Sequence, residues 1–279
     1  MKRSFPFLTF LSILCLCLSA CKDKAPQSEL NFGTERYDSA ALHIALLPNR
    51  DCLPIYYAKR TGIYDSLGLK LQIASYWSQM DCDTTLMGHI ADGGWADKER
   101  MRSYGKRMNG IEPMWDGTQR WSIYSCGQLR INDLKALKGK TIAIARNSTE
   151  VNYLEAALKG AKISMDDVYL PQINNLKMRA QMLTGNQVDA AVIAWPYTSL
   201  ALANGHKCVL SQRFPDANGC FVMKRNRLKS DIRRQQWQLF EKGRKMALDS
   251  IRKNGPKAYS VILQKDYGLP REIADTIRF

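Results

Sequence analysis

The sequence predicts an α/β protein, with mainly parallel sheets whose strands alternate with helices that cover both faces of each sheet. Two observations carry this prediction. Short, continuous apolar runs such as Leu42–Leu47 and Val188–Ile193 are typical of strands that are buried on both faces. Amphipathic segments that end at glycine or asparagine separate these runs, and the alternation continues as far as Met223.

The predicted elements follow one another in order along the chain. Pro54 suits the first turn of a helix, and Gly62 ends that helix. The small residues at 91–95 are expected to form a turn. Strands are expected at 42–47, 69–73, 120–125, 141–145, 168–173, 188–193, 208–210 and 221–223. Helices are expected at 55–61, 84–89, 98–108, 148–159, 176–183, 196–203 and 231–253, and after Pro256 and Pro270.

The N-terminus has the features of a secretory signal. Two cations, Lys2 and Arg3, precede an apolar stretch from Phe5 to Leu18 that is too short to span a bilayer permanently. Leu-Ser-Ala-Cys at 18–21 closes this stretch. That ending resembles the lipobox of bacterial lipoproteins, in which the cysteine is acylated and becomes the first residue of the mature protein. An ordinary cleaved signal with an incidental cysteine is the alternative.

These features predict how the chain is held in the cell envelope. Residues 1–20 are expected to be a lipoprotein signal peptide, and Cys21 is expected to carry the lipid, with palmitate among its acyl chains. Residues 21–39 are polar and without periodicity, so they are expected to form a flexible tether. The protein would then lie on the periplasmic side of a bacterial membrane, anchored to it by lipid.

Composition narrows the range of partners. The formal net charge is +15 at pH 7 and falls to +13 when Lys2 and Arg3 leave with the signal. The basic residues are scattered, apart from a dense region from Lys224 to Lys257, and no basic stripe is interleaved with aromatics that stack on bases. We therefore expect no nucleic-acid partner. Solubility, or attraction to an anionic bilayer, accounts for the charge.

Cysteine usage suggests one disulfide. Five cysteines remain beyond Cys21, and in an oxidising compartment some of them should pair. Cys52 and Cys82 each lie just beyond a predicted strand, so we expect these two to form the disulfide. The pairing depends on a close approach of the two Cα atoms, which the fold decides.

Several short motifs recur in a characteristic order. The first half has Leu47-Pro48 before a helix and a segment at 58–69 of the form A-x-x-x-G-[IF]-[FY] followed by G-L. The second half has LKGKTIA at 137–143, NSTE at 147–150, LTGNQVDAAV at 183–192 and WPY at 195–197. Together these motifs resemble the solute-binding proteins of ABC importers, in the group that binds sulfonates, taurine, nitrate or thiamine-pyrimidine precursors. The resemblance spans residues 42–224.

The resemblance implies a type II periplasmic-binding-protein fold, with two α/β lobes, two crossing segments and a ligand cleft between the lobes. Lobe 1 would contain residues 40–126 and 214–279, and lobe 2 would contain residues 130–211. The crossings would lie near 125–132 and 210–215. Cleft closure would capture a small organic or anionic solute, either sulfonate, nitrate or pyrimidine-like. The implied partners are the permease and ATPase of the same importer, with the protein itself a monomer.

Two departures from the family pattern leave the class of solute open. The segment 77–83 after the second strand is bulky and acidic where the family commonly has a glycine-rich helix entry. The chain also stops at Phe279, somewhat earlier than many of these proteins.

Candidate ligand-binding residues follow the carboxyl ends of the predicted strands, where helix N-termini expose unpaired N–H groups. Local roles are the alternatives: N-capping by Asn147 with Glu150 as its partner, an ion pair of Arg50 with Asp51, and core packing of Trp195. The candidates are Asn49, Arg50, Asp51, Trp77, Ser78, Trp95, Asn147, Ser148, Thr149, Trp195 and Tyr197.

The sequence gives no support for catalysis. Its three histidines have no carboxylate or cysteine at a diagnostic spacing, and the nucleophile, zinc and phosphate-loop motifs are missing. We therefore expect no catalytic residue, no metal and no cofactor. Two alternatives stay open: an enzyme of thiamine-pyrimidine or menaquinone-precursor synthesis on the same fold, and a sensor or surface lipoprotein that lost transport.

Overall fold

Two mixed β-sheets flanked by helices organise the computed structural model, which describes residues 35–88, 90–214 and 219–279. The predicted signal peptide, Cys21 and the tether as far as residue 34 lie outside the described residues. The α/β class and the two-lobed architecture predicted from the sequence are confirmed, with one sheet in each lobe.

The sheet of lobe 1 has five strands in the order β2-β1-β3-β9-β4. Strands β2, β1 and β3 are parallel to one another, while β9 runs antiparallel to both β3 and β4. These strands are β1 (Leu42–Leu46), β2 (Leu71–Ser75), β3 (Gly93–Asp97), β4 (Ile111–Asp116) and β9 (Gly219–Lys224).

The sheet of lobe 2 has four strands in the order β6-β7-β5-β8. Only β6 and β7 are parallel, and β5 runs antiparallel to both of its neighbours. The strands are β5 (Trp121–Ser125), β6 (Ile142–Ala143), β7 (Ala190–Ala194) and β8 (Lys207–Gln212).

The expectation of mainly parallel sheets is wrong. In each lobe, the strand that arrives from the other lobe runs antiparallel to its neighbours in the sheet. β9 comes from lobe 2 and begins at the cleft, where β3 ends, so the two strands pair antiparallel. β5 enters lobe 2 in the same way and pairs antiparallel with β7. Each sheet is therefore parallel where helices connect its strands and antiparallel where the chain crosses.

Eleven helices are defined among the described residues, and the predictions at 148–159, 176–183, 196–203 and 231–253 agree with four of them to within one residue. The short helix Arg225–Leu228 was not predicted. Leu53–Arg60 has its proline in the first turn, as expected. The eleven helices are α1 (Leu53–Arg60), α2 (Ile63–Ser66), α3 (Gln79–Met87), α4 (Lys98–Tyr104), α5 (Thr149–Gly160), α6 (Leu176–Thr184), α7 (Tyr197–Ala203), α8 (Arg225–Leu228), α9 (Asp231–Asn254), α10 (Ser260–Lys265) and α11 (Arg271–Ala274).

Strand β3 was predicted as a turn because it begins with two glycines. A Cβ at Gly93 would lie 2.2 Å from Met223 Sδ, and one at Gly94 would lie 2.3 Å from the backbone oxygen of Ala45. Glycine therefore permits the central strand to fit closely between β1 and β9. Strand β4 was not predicted, and the predicted strand at 168–173 is reduced to two isolated bridges, at Tyr169 and Gln172.

The first crossing between the lobes differs from the expected one. β4 ends at Asp116 in lobe 1 and β5 begins at Trp121 in lobe 2, so the chain crosses at 117–120 rather than near 125–132. The boundary of lobe 1 at residue 126 is wrong for this reason. The second crossing lies between the end of β8 at Gln212 and the start of β9 at Gly219.

The core of lobe 1 is built around aromatic rings that α9 presses against the sheet. The Phe221 ring stacks on Trp115 and Phe240, with centroid distances of 5.0 and 5.2 Å. Phe240 also stacks on Tyr64, whose ring is fully buried. Such stacks bury large apolar areas and add specific geometry. The long amphipathic helix predicted at 231–253 therefore covers one face of this sheet.

The last residues of the expected tether pack on the sheet of lobe 1. Gln72 Oε1 accepts a hydrogen bond from the Asp38 amide at 3.0 Å, and Gln72 Nε2 donates to the Arg36 carbonyl at 2.7 Å. The Tyr37 ring stacks on His43 at 4.6 Å between centroids. The folded part of the chain therefore begins by Arg36, before the expected boundary at residue 40.

The predicted disulfide is absent from the structure, in which Cys52 and Cys82 are both free, buried thiols. Cys52 belongs to the core cluster that contains Ile44, and Cys82 belongs to a separate cluster that contains Ala45. Neighbouring residues of a strand point to opposite faces, so the two cysteines pack on opposite sides of the sheet. Burial raises the pKa of both thiols well above the ordinary value.

Within the described residues, no helix has the length and apolar character needed to cross a membrane.

Candidate functional site

A cleft of about 670 Å³, open solvent at its mouth included, lies between the two lobes. Strand ends from both sheets meet there, as expected for a ligand site in this class of fold. Residues of both lobes and of the first crossing line it: Leu47, Pro48, Asn49, Trp77, Gln79, Met80, Trp95, Asp97, Arg100, Gln119, Trp121, Ala145, Ser148, Glu150, Asn174, Leu176, Arg179 and Gly219.

Three tryptophans form the apolar walls of the cleft: Trp77, Trp95 and Trp121. The Trp95 ring lies against the start of β9, where a Cβ at Gly219 would come within 2.5 Å of the ring. Glycine at this position therefore leaves room for the indole. Flat indole faces suit a planar solute.

Four buried polar atoms around the cleft have no hydrogen-bond partner within the described part of the chain. They are Asn49 Nδ2, Gln119 Oε1, Trp121 Nε1 and Arg179 Nε. The relative exposures of these residues are 3, 6, 7 and 1 %. Because a buried polar group without a partner costs free energy, such groups are uncommon in folded proteins. The four residues that carry these atoms all line the same cleft.

The contacts of Asn49 explain how one of these groups is held. Its Oδ1 accepts a hydrogen bond from the Cys52 amide at 2.9 Å, at the start of α1. The Asn49 carbonyl accepts from the Tyr267 hydroxyl at 2.8 Å. With its oxygen engaged, the amide side chain keeps Nδ2 as a free donor.

Arg179 is the cation of the lobe 2 side, and it is fully buried. Its guanidinium pairs with the Glu150 carboxylate through two hydrogen bonds, one of them 3.0 Å from Nη2 to Oε1. Burial lowers the pKa of Arg179 to about 9, which still leaves it charged at neutral pH. Glu150 also accepts from the Ala145 amide at 3.2 Å. The charge of Arg179 is therefore balanced inside the protein.

Arg100 is the cation of the lobe 1 side, and it is balanced in the same way. Its Nε donates to Asp83 at 2.5 Å, and its Nη1 donates across the cleft to the Arg146 carbonyl at 2.9 Å. Burial raises the pKa of Asp83, and the hydrogen bond from Arg100 opposes this rise. Neither cleft arginine is left without a carboxylate.

Asp97 occupies the N-terminus of α5, which the sequence suggested as an anion site. One oxygen of this lobe 1 carboxylate accepts from the Thr149 amide of lobe 2 at 3.0 Å. Its other oxygen accepts from the Glu99 and Arg100 amides at 2.9 and 3.0 Å. Burial raises the pKa of Asp97, and the backbone donors oppose that rise. A protein carboxylate thus takes the place that a bound anion would take.

Further contacts join the lobes across the cleft. The Leu176 amide donates to the Trp77 carbonyl at 3.3 Å, and Ser78 and Asn175 form a β-bridge. The Lys177 ammonium lies 4.9 Å from the centroid of the Trp77 ring. These contacts hold the lobes in a closed arrangement around the cavity.

The predicted site residues fall into three groups. Asn49, Trp77, Trp95 and Ser148 line the cleft. Arg50 and Trp195 line a different groove beside the first crossing. The remaining candidates have local or interlobe roles: Asp51, Ser78, Asn147, Thr149 and Tyr197.

Asp51 and Tyr197 form hydrogen bonds within the protein, away from the cleft. Asp51 accepts hydrogen bonds from the amide and hydroxyl of Thr118, at distances of 2.6 to 3.0 Å, and so fixes the first crossing. The Tyr197 hydroxyl donates to the Tyr267 carbonyl at 3.0 Å. Trp195 donates to the Arg278 carbonyl at 3.2 Å, and Arg50 lies over the Phe279 ring. The C-terminal segment, rather than the cleft, contacts Arg50, Trp195 and Tyr197.

Helix starts account for Ser78, Ser148 and Asn147. Ser78 caps α3 by accepting from the Met80 amide at 3.2 Å. The N-cap of α5 is Ser148, not Asn147, which is exposed with φ of +45°. Glu150 pairs with Arg179 instead of completing a capping box.

Sequence reasoning missed Gln119, Trp121, Arg100 and Arg179. Gln119 and Trp121 lie at the first crossing, which the prediction placed too late in the chain. Arg100 and Arg179 lie inside helices α4 and α6, where a cation is usually solvated. Only the pairing of distant elements brings them to the cleft.

No group of three histidine, cysteine, aspartate or glutamate side chains is arranged to hold a metal ion in the described ranges.

Comparison with known proteins places this geometry in context. The family model described as "NMT1/THI5 like" matches residues 49–228. Among curated proteins, no sequence matches the chain.

Solved structures of bacterial binding proteins share the fold. The alkanesulfonate-binding protein of Xanthomonas axonopodis pv. citri, bound to MOPS, is 18% identical with a TM-score of 0.69, covering 86% of this chain and 83% of its own. The periplasmic aliphatic sulphonate binding protein of Escherichia coli is 17% identical with a TM-score of 0.65, covering 84% and 80%. The ligand-binding component of an ABC-type import system from Staphylococcus aureus, with zinc bound, is 17% identical with a TM-score of 0.68, covering 84% and 82%.

Proposed function

The chain belongs to the NMT1/THI5-like family, and from this premise we propose that it is an extracytoplasmic solute-binding protein of an ABC importer. One observation carries the proposal: four buried polar atoms, which have no partner among the described residues, belong to side chains that line a single cleft between two lobes. The fold shared with a sulphonate-binding protein and an import component supports the same role.

The proposal includes a lipid anchor at Cys21. The cysteine directly after Leu-Ser-Ala supports acylation. The segment from 22 to 34 is short, so the folded lobes would stay close to the bilayer. A tethered binding protein stays near a permease and ATPase in the same membrane, acting as a monomer.

The charge balance of the cleft favours a planar solute without net charge. The Xanthomonas protein binds a sulfonate, MOPS, but in this chain Arg100 and Arg179 both face carboxylates. Asp97 also occupies the N-terminus of α5. An added anion would find no unbalanced cation, and it would meet the nearby charge of Asp97. Three free donors, one free acceptor and indole walls suit an aminopyrimidine better than a sulfonate.

Closure supplies the mechanism of capture. Asn49 and Trp77 belong to lobe 1, Trp121 and Arg179 belong to lobe 2, and Gln119 lies on the crossing between them. A solute that packs against Trp77 and hydrogen-bonds to the other four residues contacts all five together only when the lobes are closed. It therefore shifts the equilibrium towards the closed state by its difference in affinity for the two states.

Calorimetric titration and thermal unfolding of the purified protein test the proposal. The probes are 4-amino-2-methylpyrimidine, taurine, nitrate, bicarbonate and an amino-acid mixture. The pyrimidine should raise the unfolding midpoint, because a ligand at a hundredfold excess over its Kd adds about 2.7 kcal/mol of stability. Trp121→Phe removes one free donor, and Gln119→Leu removes the free acceptor. Each should weaken binding about tenfold.

Trp195→Phe is the matched control, because this tryptophan lies in the groove beside the crossing. It should leave the affinity unchanged. If it weakened binding more than Trp121→Phe did, the site would lie in that groove. Stabilisation by taurine alone would overturn the assigned solute class, and steady conversion of any probe would overturn the binding-only role.

A further inference from the structure

A second cavity lies at the far end of the lobe 1 sheet. Strand β9 begins at Gly219 in the cleft and ends at Lys224, which lines this cavity about 17 Å away. We call it the outer pocket, and its empty volume is about 670 Å³, open solvent included. Its lining residues are Leu86, Met87, Arg107, Asn109, Gly110, Ile111, Lys224, Arg225, Asn226 and Lys229.

Lys224 is the unusual residue of the outer pocket. Its side chain is 3 % exposed, and in the described parts of the chain Nζ has no hydrogen-bond partner. Burial lowers the pKa of Lys224 to about 8, the charge of Arg227 adds to this effect, and Asp92 opposes it. The ammonium is therefore largely charged at neutral pH although no acceptor from the described residues contacts it, which is costly in a buried position.

The residues around Lys224 leave its charge uncompensated. Four cations line the outer pocket, Arg107, Lys224, Arg225 and Lys229, and the described lining contains no carboxylate. At the rim, Arg225 pairs with Glu112 at 2.5 Å.

Asp92, the acidic residue that acts on Lys224, is shared among other partners. Its carboxylate lies 3.1 Å from Arg227 Nε and 3.7 Å from Arg233 Nη1. It also lies 3.5 Å from His43 Nδ1 and accepts from the His43 amide at 2.9 Å. This carboxylate is already engaged, so the outer pocket keeps an excess of positive charge.

We propose that the outer pocket binds a phosphate-type oxyanion, with Lys224 as the central donor. A phosphate group offers several oxygens and more than one negative charge, which matches one buried ammonium flanked by Arg107, Arg225 and Lys229. The side-chain amides of Asn109 and Asn226 add neutral donors. Free inorganic phosphate and the headgroup of an anionic phospholipid share this chemistry.

The site would be separate from solute binding. Because the outer pocket opens at the opposite end of the sheet from the cleft, its occupation leaves the mouth of the cleft free. A headgroup bound there would hold lobe 1 against the bilayer. Free phosphate would bind to the same lobe without bringing it to a membrane. The two sources predict different results with membranes.

The test measures binding to the full chain in two ways. Inorganic phosphate is titrated by calorimetry, and cosedimentation is compared between vesicles of phosphatidylcholine alone and vesicles of equal parts phosphatidylcholine and phosphatidylglycerol. Any contribution of an N-terminal lipid is common to both vesicles. Lys224→Met should weaken the phosphate-dependent signal about tenfold or more, because a hydrogen bond to a charged group is lost.

Two further variants keep the result interpretable if Lys224→Met alters folding. Lys229→Gln removes an exposed cation of the outer pocket and should weaken binding about two- to fivefold. Lys245→Met removes an equal charge from the exposed side of α9 and should change nothing. Affinity for the cleft solute should be the same in all three variants.

The outcomes separate the sources and the alternatives. Calorimetric binding of phosphate without a preference for phosphatidylglycerol supports a free anion, and a phosphatidylglycerol preference that Lys224→Met abolishes supports a headgroup. Absence of both signals in the unchanged protein overturns the proposal. Equal weakening by Lys245→Met and Lys224→Met also overturns it, because net charge alone would then explain the binding.

Discussion

The two ends of strand β9 differ in whether the buried cations there have carboxylate partners. At the cleft end, Arg100 pairs with Asp83 and Arg179 pairs with Glu150. At the outer end, Lys224 is buried without an acceptor in the part of the chain that the structure describes, and three further cations line the same pocket. Both ends are cavities beside one sheet, yet each arginine of the cleft has a carboxylate partner, whereas Lys224 has none among the described residues. This difference is why we propose a solute without net charge for the cleft and an oxyanion for the outer pocket.

The two cavities also differ in which parts of the molecule supply their carboxylates. The cleft draws acidic residues from both lobes, with Asp97 from lobe 1 and Glu150 from lobe 2. Each cleft arginine has its carboxylate partner in its own lobe, and Asp97 reaches across to the Thr149 amide of the other lobe. The outer pocket is built by lobe 1 alone, so no carboxylate from lobe 2 reaches it.

The largest expected effect comes from breaking the balance of the cleft. Arg179→Met leaves Glu150 buried without its cation and should lower the free energy of unfolding by about 3 to 5 kcal/mol. Urea denaturation measures this loss. The matched control is Arg60→Gln, at the surface pair with Asp266, where the expected loss is below about 1 kcal/mol.

The double variant Arg179→Met with Glu150→Gln sharpens this test. Removing the unpaired charge should restore most of the lost stability, because the cost arises from the isolated carboxylate. A double variant as unstable as Arg179→Met alone would show that packing of the arginine, and not charge balance, is what matters at this end.

The second effect uses the pH dependence of the outer end. Because the pKa of Lys224 is lowered to about 8, the folded protein binds fewer protons than the unfolded chain between about pH 8 and 10.5. The free energy of unfolding should therefore rise with pH across this window, by roughly 1 to 3 kcal/mol. Denaturation of the unchanged protein and of Lys224→Met at several pH values measures the difference.

Lys224→Met should lack this rise and should be the more stable protein below pH 8, because it has no buried charge. Lys245→Met controls for general titration and should follow the unchanged protein. Parallel curves for Lys224→Met and the unchanged protein would show that the Lys224 ammonium is as well solvated in the fold as in the unfolded chain.

The smallest effect tests the contact between the lobes at the cleft. In Asp97→Asn, one oxygen still accepts from the Glu99 and Arg100 amides, but the new amide group faces the Thr149 N–H as a second donor. The loss should be about 1 kcal/mol, measured by denaturation, with a more open form in small-angle scattering. Glu99→Gln keeps its acceptor for Asn152 and should have no effect beyond about 0.5 kcal/mol.

Much of the fold was predictable because its elements carry local signals. The apolar runs at β1 and β7 and the amphipathic pattern of α9 are short-range features. Strand β3 was missed because Gly93 and Gly94 are typical of turns when viewed locally. Their strand conformation depends on close neighbours, Met223 and Ala45, that are distant in sequence.

The candidate site was predictable only in part. Asn49, Trp77, Trp95 and Ser148 follow or end strands near the cleft, so a rule based on strand ends found them. The same rule selected Arg50, Trp195 and Tyr197, whose partners include Phe279, Arg278 and Tyr267 of the C-terminal segment. No local pattern indicates that the chain returns to cover these residues.

The sequence by itself determined the α/β class, the order of most elements and the family resemblance, because periodicity and motifs are local properties. It also determined the signal-like N-terminus, from which the lipid anchor is proposed. The tertiary structure alone decided which charges meet: Asp97 on the α5 N-terminus, Arg179 against Glu150, and Lys224 without an acceptor among the residues that the structure describes. Electrostatic and hydrogen-bond partners depend on distances between residues far apart in the chain, and only folding sets those distances.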